Sequence, residues 1–109
     1  MHYLDSTTDS FLKACQNGDY RTVRSISERH GGYVQYCCPI TLKNGLHKCA
    51  RNLDHESSVR IAEYILGHVY GTELINEVSK NNCMPLILAV HFQNKGLFHC
   101  MITAYEKNT

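Results

Sequence analysis

The sequence predicts an all-α fold in which short helix pairs stack into a solenoid, and three observations carry that prediction. Apolar residues recur at helical spacing in six short segments. Turn-forming residues divide those segments into three pairs. Equivalent points in the pairs, Phe11, Leu46 and Leu86, lie 35 and 40 residues apart. At such a period no single pair buries its apolar face, so neighbours must stack to make one core. The 109 residues therefore read as one domain of three units, about 9–42, 43–81 and 82–109.

Each element follows from its residues. Asp5-Ser6-Thr7-Thr8-Asp9 is rich in helix-capping side chains and precedes a helix with Phe11, Ala14 and Cys15 on one face. Gly18 stops it. A second helix then carries Tyr20, Val23 and Ile26 and ends at His30-Gly31-Gly32. In the second unit, Cys38 to Gly45 is a turn region with Pro39 and Asn44-Gly45 as breakers. Leu46 to Asn52 is a short helix, and Asp54-His55-Glu56-Ser57 is a polar connection. Ser58 to about His68 is a longer helix with Val59, Ala62, Ile65 and Leu66 inward; Gly67 and Gly71 mark its end. In the third unit, Ser79-Lys80-Asn81-Asn82 turns the chain. Pro85 opens a helix through Val90, suited to a first turn by its missing N–H. Gln93-Asn94-Lys95-Gly96 breaks it, and Leu97 to about Ala104 forms the last helix. Leu97, Phe98 and Met101 are expected to lie exposed on one side of that pair unless self-association or further repeats cover them.

Composition narrows the function classes. Hydrophobic residues at 43 % and charged residues at 19 % fit a globular domain, and a net charge of +1 gives no electrostatic reason to expect nucleic acid or an anionic membrane as partner. The start, Met1-His2-Tyr3-Leu4-Asp5, lacks the basic and apolar regions of a signal peptide. The longest apolar run, Met84 to Val90, is far too short for a bilayer span, so direct membrane insertion is not expected. A cytoplasmic or nuclear location follows, with the six cysteines reduced. The last residues, Tyr105 to Thr109, carry no natural stop, which is compatible with a longer parent protein.

The repeat unit resembles the ankyrin repeat, about 33 residues with Thr-Pro-Leu-His-x-Ala opening its first helix. Leu74-Ile75-Asn76-Glu77, the turn Ser79 to Asn82, and Pro85-Leu86-Ile87-Leu88-Ala89-Val90 follow that pattern. Asn44-Gly45-Leu46-His47-Lys48-Cys49-Ala50 keeps the Leu-His pair and the small pair. Phe11-Leu12-Lys13-Ala14-Cys15-Gln16-Asn17-Gly18-Asp19 keeps the small pair and the glycine turn. Three departures stand out: the second unit lacks the glycine of the inter-helix turn and has extra residues near Leu53 to Glu56, the third has Ile87 for histidine, and Gln93-Asn94 replaces Gly-His. Lengthened turns are also similar to the cytosolic ankyrin domains of transient-receptor-potential channels.

The resemblance implies a protein–protein interaction module without catalysis or cofactor. It places a concave surface on the first helices and turn tips: Lys13, Gln16 and Asn17; Lys43, Lys48, Arg51 and Asn52; Lys80 and Asn81; His91 and Phe92. Arg and aromatic residues are over-represented among those that dominate binding energy. Such a mildly basic strip with one exposed aromatic suits an extended or acidic protein partner. His47, Pro85 and Gly18 take structural roles, His47 by tying its turn to a neighbour through ring-nitrogen hydrogen bonds. No Cys-x-x-Cys or His-x-x-x-His pair signals zinc, no base stands by sequence beside Cys83, and no phosphate loop occurs. Two alternatives remain: a regulatory or assembly segment of a larger protein such as an ion channel, and a small metal-binding or enzymatic helical protein.

Overall fold

A computed structural model describes residues 6–68 and 72–107. Within them the protein is all-helical: α1 (Ser6–Asn17), α2 (Tyr20–Arg29), α3 (Gly45–Ala50), α4 (His55–Leu66), α5 (Pro85–His91) and α6 (Lys95–Lys107). Two 3₁₀ turns, Gly31–Gln35 and Thr72–Asn76, precede the connections to α3 and α5. The expectations for Asp5, Gly71 and the segment Met1 to Asp5 lie outside the described residues.

Helices adjacent in the chain touch as three pairs, α1 with α2, α3 with α4 and α5 with α6. The first helices touch in series, α1 on α3 and α3 on α5, and so do the second helices, α2 on α4 and α4 on α6. The body measures 34 × 29 × 29 Å. The core runs through the pairs: Phe11, Cys15 and Val23 in the first, Leu46, Cys49, Ile61 and Ile65 in the second, Ala89, Leu97 and Met101 in the third.

Each second helix starts on an acid or amide cap. Asp19, Asp54 and Asn94 accept from the backbone N–H of Thr22, Ser57 and Leu97 at 3.1, 3.4 and 3.0 Å. The Asp54 cap starts α4 at His55, three residues before the sequence expectation, because the polar run His55-Glu56-Ser57 is the exposed first turn and not a connection. Thr41 and Lys80 bring the two long turns together, the Lys80 N–H donating to the Thr41 carbonyl at 2.8 Å.

Leu97 and Met101 correct an expectation. Both are fully buried between α5, α6 and the preceding pair. The side chains that the last pair leaves exposed are Ile87, Val90, Phe98 and Tyr105. The reason is phase: Leu97 and Met101 sit four apart facing the core, whereas Phe98 and Tyr105 lie a helical step around α6.

Candidate interaction surface

α3 is only six residues long and needs strong caps. Asn44 supplies them: its Oδ1 accepts from Leu46 N at 2.9 Å and His47 N at 3.1 Å, and its own N–H donates to His47 Nδ1 at 3.0 Å. The Asn44 Nδ2 reaches forward to the Leu74 carbonyl at 3.0 Å and Glu77 Oε1 at 2.9 Å. With Nδ1 accepting, the His47 proton sits on Nε2, which donates to the Cys83 carbonyl at 2.8 Å. Burial, with the charges of Lys43 and Lys48 added, holds this imidazole below its ordinary pKa, against the pull of the Cys83 carbonyl. A neutral, doubly bonded ring inside the fold has no lone pair left to act as a base.

Gly18 and Pro85 also occupy structural positions. Gly18 has φ +77°, and a Cβ there would collide with Ser57 Oγ and press on Asn52 Nδ2. Pro85 is buried at the start of α5.

The strip residues divide into two groups. Lys13, Gln16, Asn17 and Lys48 line one pocket of about 220 Å³, together with Asp9, Leu12 and Cys38. Lys13 pairs with Asp9 at 2.9 Å. Farther along, the Arg51 guanidinium lies over the Phe92 ring at 5.8 Å, and His91 meets that ring edge-on at 4.9 Å. Lys43 is half-buried; Lys80 and Asn81 stand exposed at the adjoining turn tip.

Asn52 is corrected out of the strip, and the exposure expected of Phe92 is corrected. Asn52 is only 7 % exposed. Its Nδ2 donates to Ser57 Oγ at 2.8 Å and its Oδ1 accepts from Asp54 N at 3.0 Å, so it holds the α3–α4 turn. Phe92 is half-buried against the core with the Arg51 guanidinium over its ring, so it is a partly covered aromatic and not a fully exposed one.

Electrostatically the Lys48 region is positive. Burial, Lys43 and Arg51 all push the Lys48 ammonium below its ordinary pKa, while Cys38 and Asp9 oppose them. At Cys38, burial raises the thiol, but hydrogen bonds from the Thr41 side chain and backbone and the Ile40 backbone, with the Lys48 charge, outweigh it and leave the thiol below its ordinary value.

Other features escaped the sequence reading. A groove of about 650 Å³ runs between α4 and α6, lined by Val59, Glu63, His99 and Cys100 among others, where burial and the Glu63 carboxylate push the Cys100 thiol up to about 11. Arg60 lies 4.0 Å over the Tyr20 ring, and Tyr20 meets Tyr64 edge-on at 5.8 Å, joining α2 to α4. The signal was the spacing of Arg60 and Tyr64, one turn apart on α4. Among the described residues the six cysteines are free thiols, and no three His, Cys, Asp or Glu side chains converge as a metal site would require. Nor is any helix among those residues long and apolar enough to cross a membrane.

A scan against known protein families finds none that matches, and searches of curated proteins and of solved structures return no match.

Proposed function

We propose that this chain is a protein–protein interaction module, a short ankyrin-like stack that presents the face of α1, α3 and α5 to an acidic, extended partner and carries out no catalysis. The serial packing of α1 on α3 on α5, and of α2 on α4 on α6, supports the stacked-repeat part of the reading. The observation that carries the functional part is charge left without a counter-ion. Lys43, Lys48 and Arg51 cluster on one side, yet the ion pairs among the described residues are Lys13–Asp9 and Arg24–Glu28. A surface held by packed helices also loses little conformational freedom on binding. Six free thiols favour a reducing compartment, the cytosol or nucleus.

The test is differential affinity capture. One bait is the natural chain; the other carries Arg51→Glu and Phe92→Ala, with circular dichroism and melting temperature matched. A protein retained by the first and lost by the second is the expected result. Equal capture by both removes the strip from the reading.

A second surface has its own support. Ile87, Val90, Phe98 and Tyr105 leave the last helix pair with an apolar free side. Self-association or stacking of further repeats through that side is the companion proposal.

A further inference from the structure

We propose that the pocket at Lys48 is the seat for one carboxylate side chain of the acidic partner segment. This rests on the interaction-module reading and names what that site recognises. Lys48 leaves α3 half-buried and lines the pocket of about 220 Å³ between α1 and the turn carrying Cys38. Its neighbours of like charge are Lys43 and Arg51. The acid in the lining, Asp9, is already engaged by Lys13 at 2.9 Å. A half-buried ammonium without a counter-ion carries an unrecovered desolvation cost, and an incoming anion recovers it.

The Lys48 ammonium is disfavoured and the Cys38 thiolate is favoured, the latter in spite of its burial. Burial is the main cause at Lys48, with Lys43 and Arg51 adding to it; at Cys38 the Thr41 and Ile40 hydrogen bonds are the main cause of the lowering, with the Lys48 charge adding to them. The rest of the lining suits a carboxylate. Leu12 is buried there, and the exposed residues Gln16 and Asn17, whose amides can donate to a group that only accepts, line the same pocket. With a net charge of +1 the chain has no broad positive field for a polyanionic backbone, so the specificity is local.

The experiment uses the full chain and a fluorescein-labelled decaglutamate peptide, with decaglutamine as the neutral control, followed by anisotropy at low salt. Three variants are compared: Lys48→Met, which keeps the aliphatic stem; Lys48→Arg, which keeps the charge; and Arg21→Gln, which removes a positive charge from exposed α2. The expected result is binding of decaglutamate but not decaglutamine, weakened at least tenfold by Lys48→Met and less than threefold by the other two. Binding by Lys48→Met within twofold of the natural chain, equal weakening by Arg21→Gln, equal binding of both peptides, or no binding at all overturns the seat. A melting temperature for Lys48→Met within a few degrees of the natural chain separates lost recognition from lost folding. If the seat fails while capture still depends on Arg51 and Phe92, the module reading stands without it. If capture loses that dependence as well, both fall.

Discussion

Two hydrogen bonds decide the protonation state of His47. Nδ1 receives the Asn44 N–H, so the ring's second proton, which would go on that nitrogen, would break the bond that closes the α3 cap. The folded imidazole is consequently a weaker base than the same side chain in the unfolded chain, whose pKa is near 6.5. The sign follows: stability from this residue is complete above that value and declines as the pH falls through the folded pKa, because the unfolded state takes up the proton first. Urea denaturation between pH 7.5 and 5 should show this decline, and His47→Gln should flatten it. An unchanged slope in the variant would place the titration elsewhere. His47→Ala should cost about 3 kcal/mol at pH 7.5, because it orphans a buried donor at Asn44 and an acceptor at Cys83.

At the scale of elements, the turns within the first and third pairs repeat one geometry with different residues. After α1, Gly18 takes φ +77° and the Asp19 N–H donates to the Ala14 carbonyl at 2.9 Å; after α5, Gln93 takes φ +57° and the Asn94 N–H donates to the Ala89 carbonyl at 2.9 Å. Left-handed backbone costs a side-chain-bearing residue about 1–2 kcal/mol. Gln93→Gly should therefore raise stability by up to about 1 kcal/mol after the entropy of the unfolded glycine is discounted. Gly18→Ala should lower it by about 2 kcal/mol, since strain and the clash with Ser57 act together. Thermal denaturation of both reads the two signs directly. Helix existence and pairing were legible because Phe11, Leu46 and Leu86 mark a period and Gly18 and Pro85 punctuate it. The role of Asn52 was not legible: counting positions after the small pair placed it on a surface, whereas the four-residue turn Arg51 to Asp54 folds its amide inward onto Ser57. Nor does linear spacing show that Arg51 and Phe92, 41 positions apart, meet across neighbouring pairs.

Over the whole molecule, the junctions between pairs differ in kind. The first and second pairs meet through apolar and aromatic groups: a Cβ at Gly45 would press on Cys15 and Phe11, and the Arg60 guanidinium lies over the Tyr20 ring. The second and third are also bolted by buried polar contacts, His47 to Cys83, Asn44 to Leu74, and Asn94 Nδ2 to Ser58 Oγ at 2.7 Å. The free sides differ too. The first pair shows solvent Arg21, Arg24, Ser25 and Glu28, with Arg24 and Glu28 joined at 2.7 Å; the last shows Ile87, Val90, Phe98 and Tyr105, of which Val90 is 61 % exposed. Head-to-tail association would bury charge against an apolar surface, so the favourable pairing of two copies sets last pair against last pair about a twofold axis. Four partly exposed side chains fall short of the roughly 1,200 Å² that a stable pair buries, which makes this contact weak. Sedimentation across a concentration series should show the natural chain moving from monomer toward dimer only at the highest concentrations. Val90→Lys should remain monomeric throughout with its melting temperature held. A natural chain that stays monomeric at all concentrations leaves this apolar side to another partner.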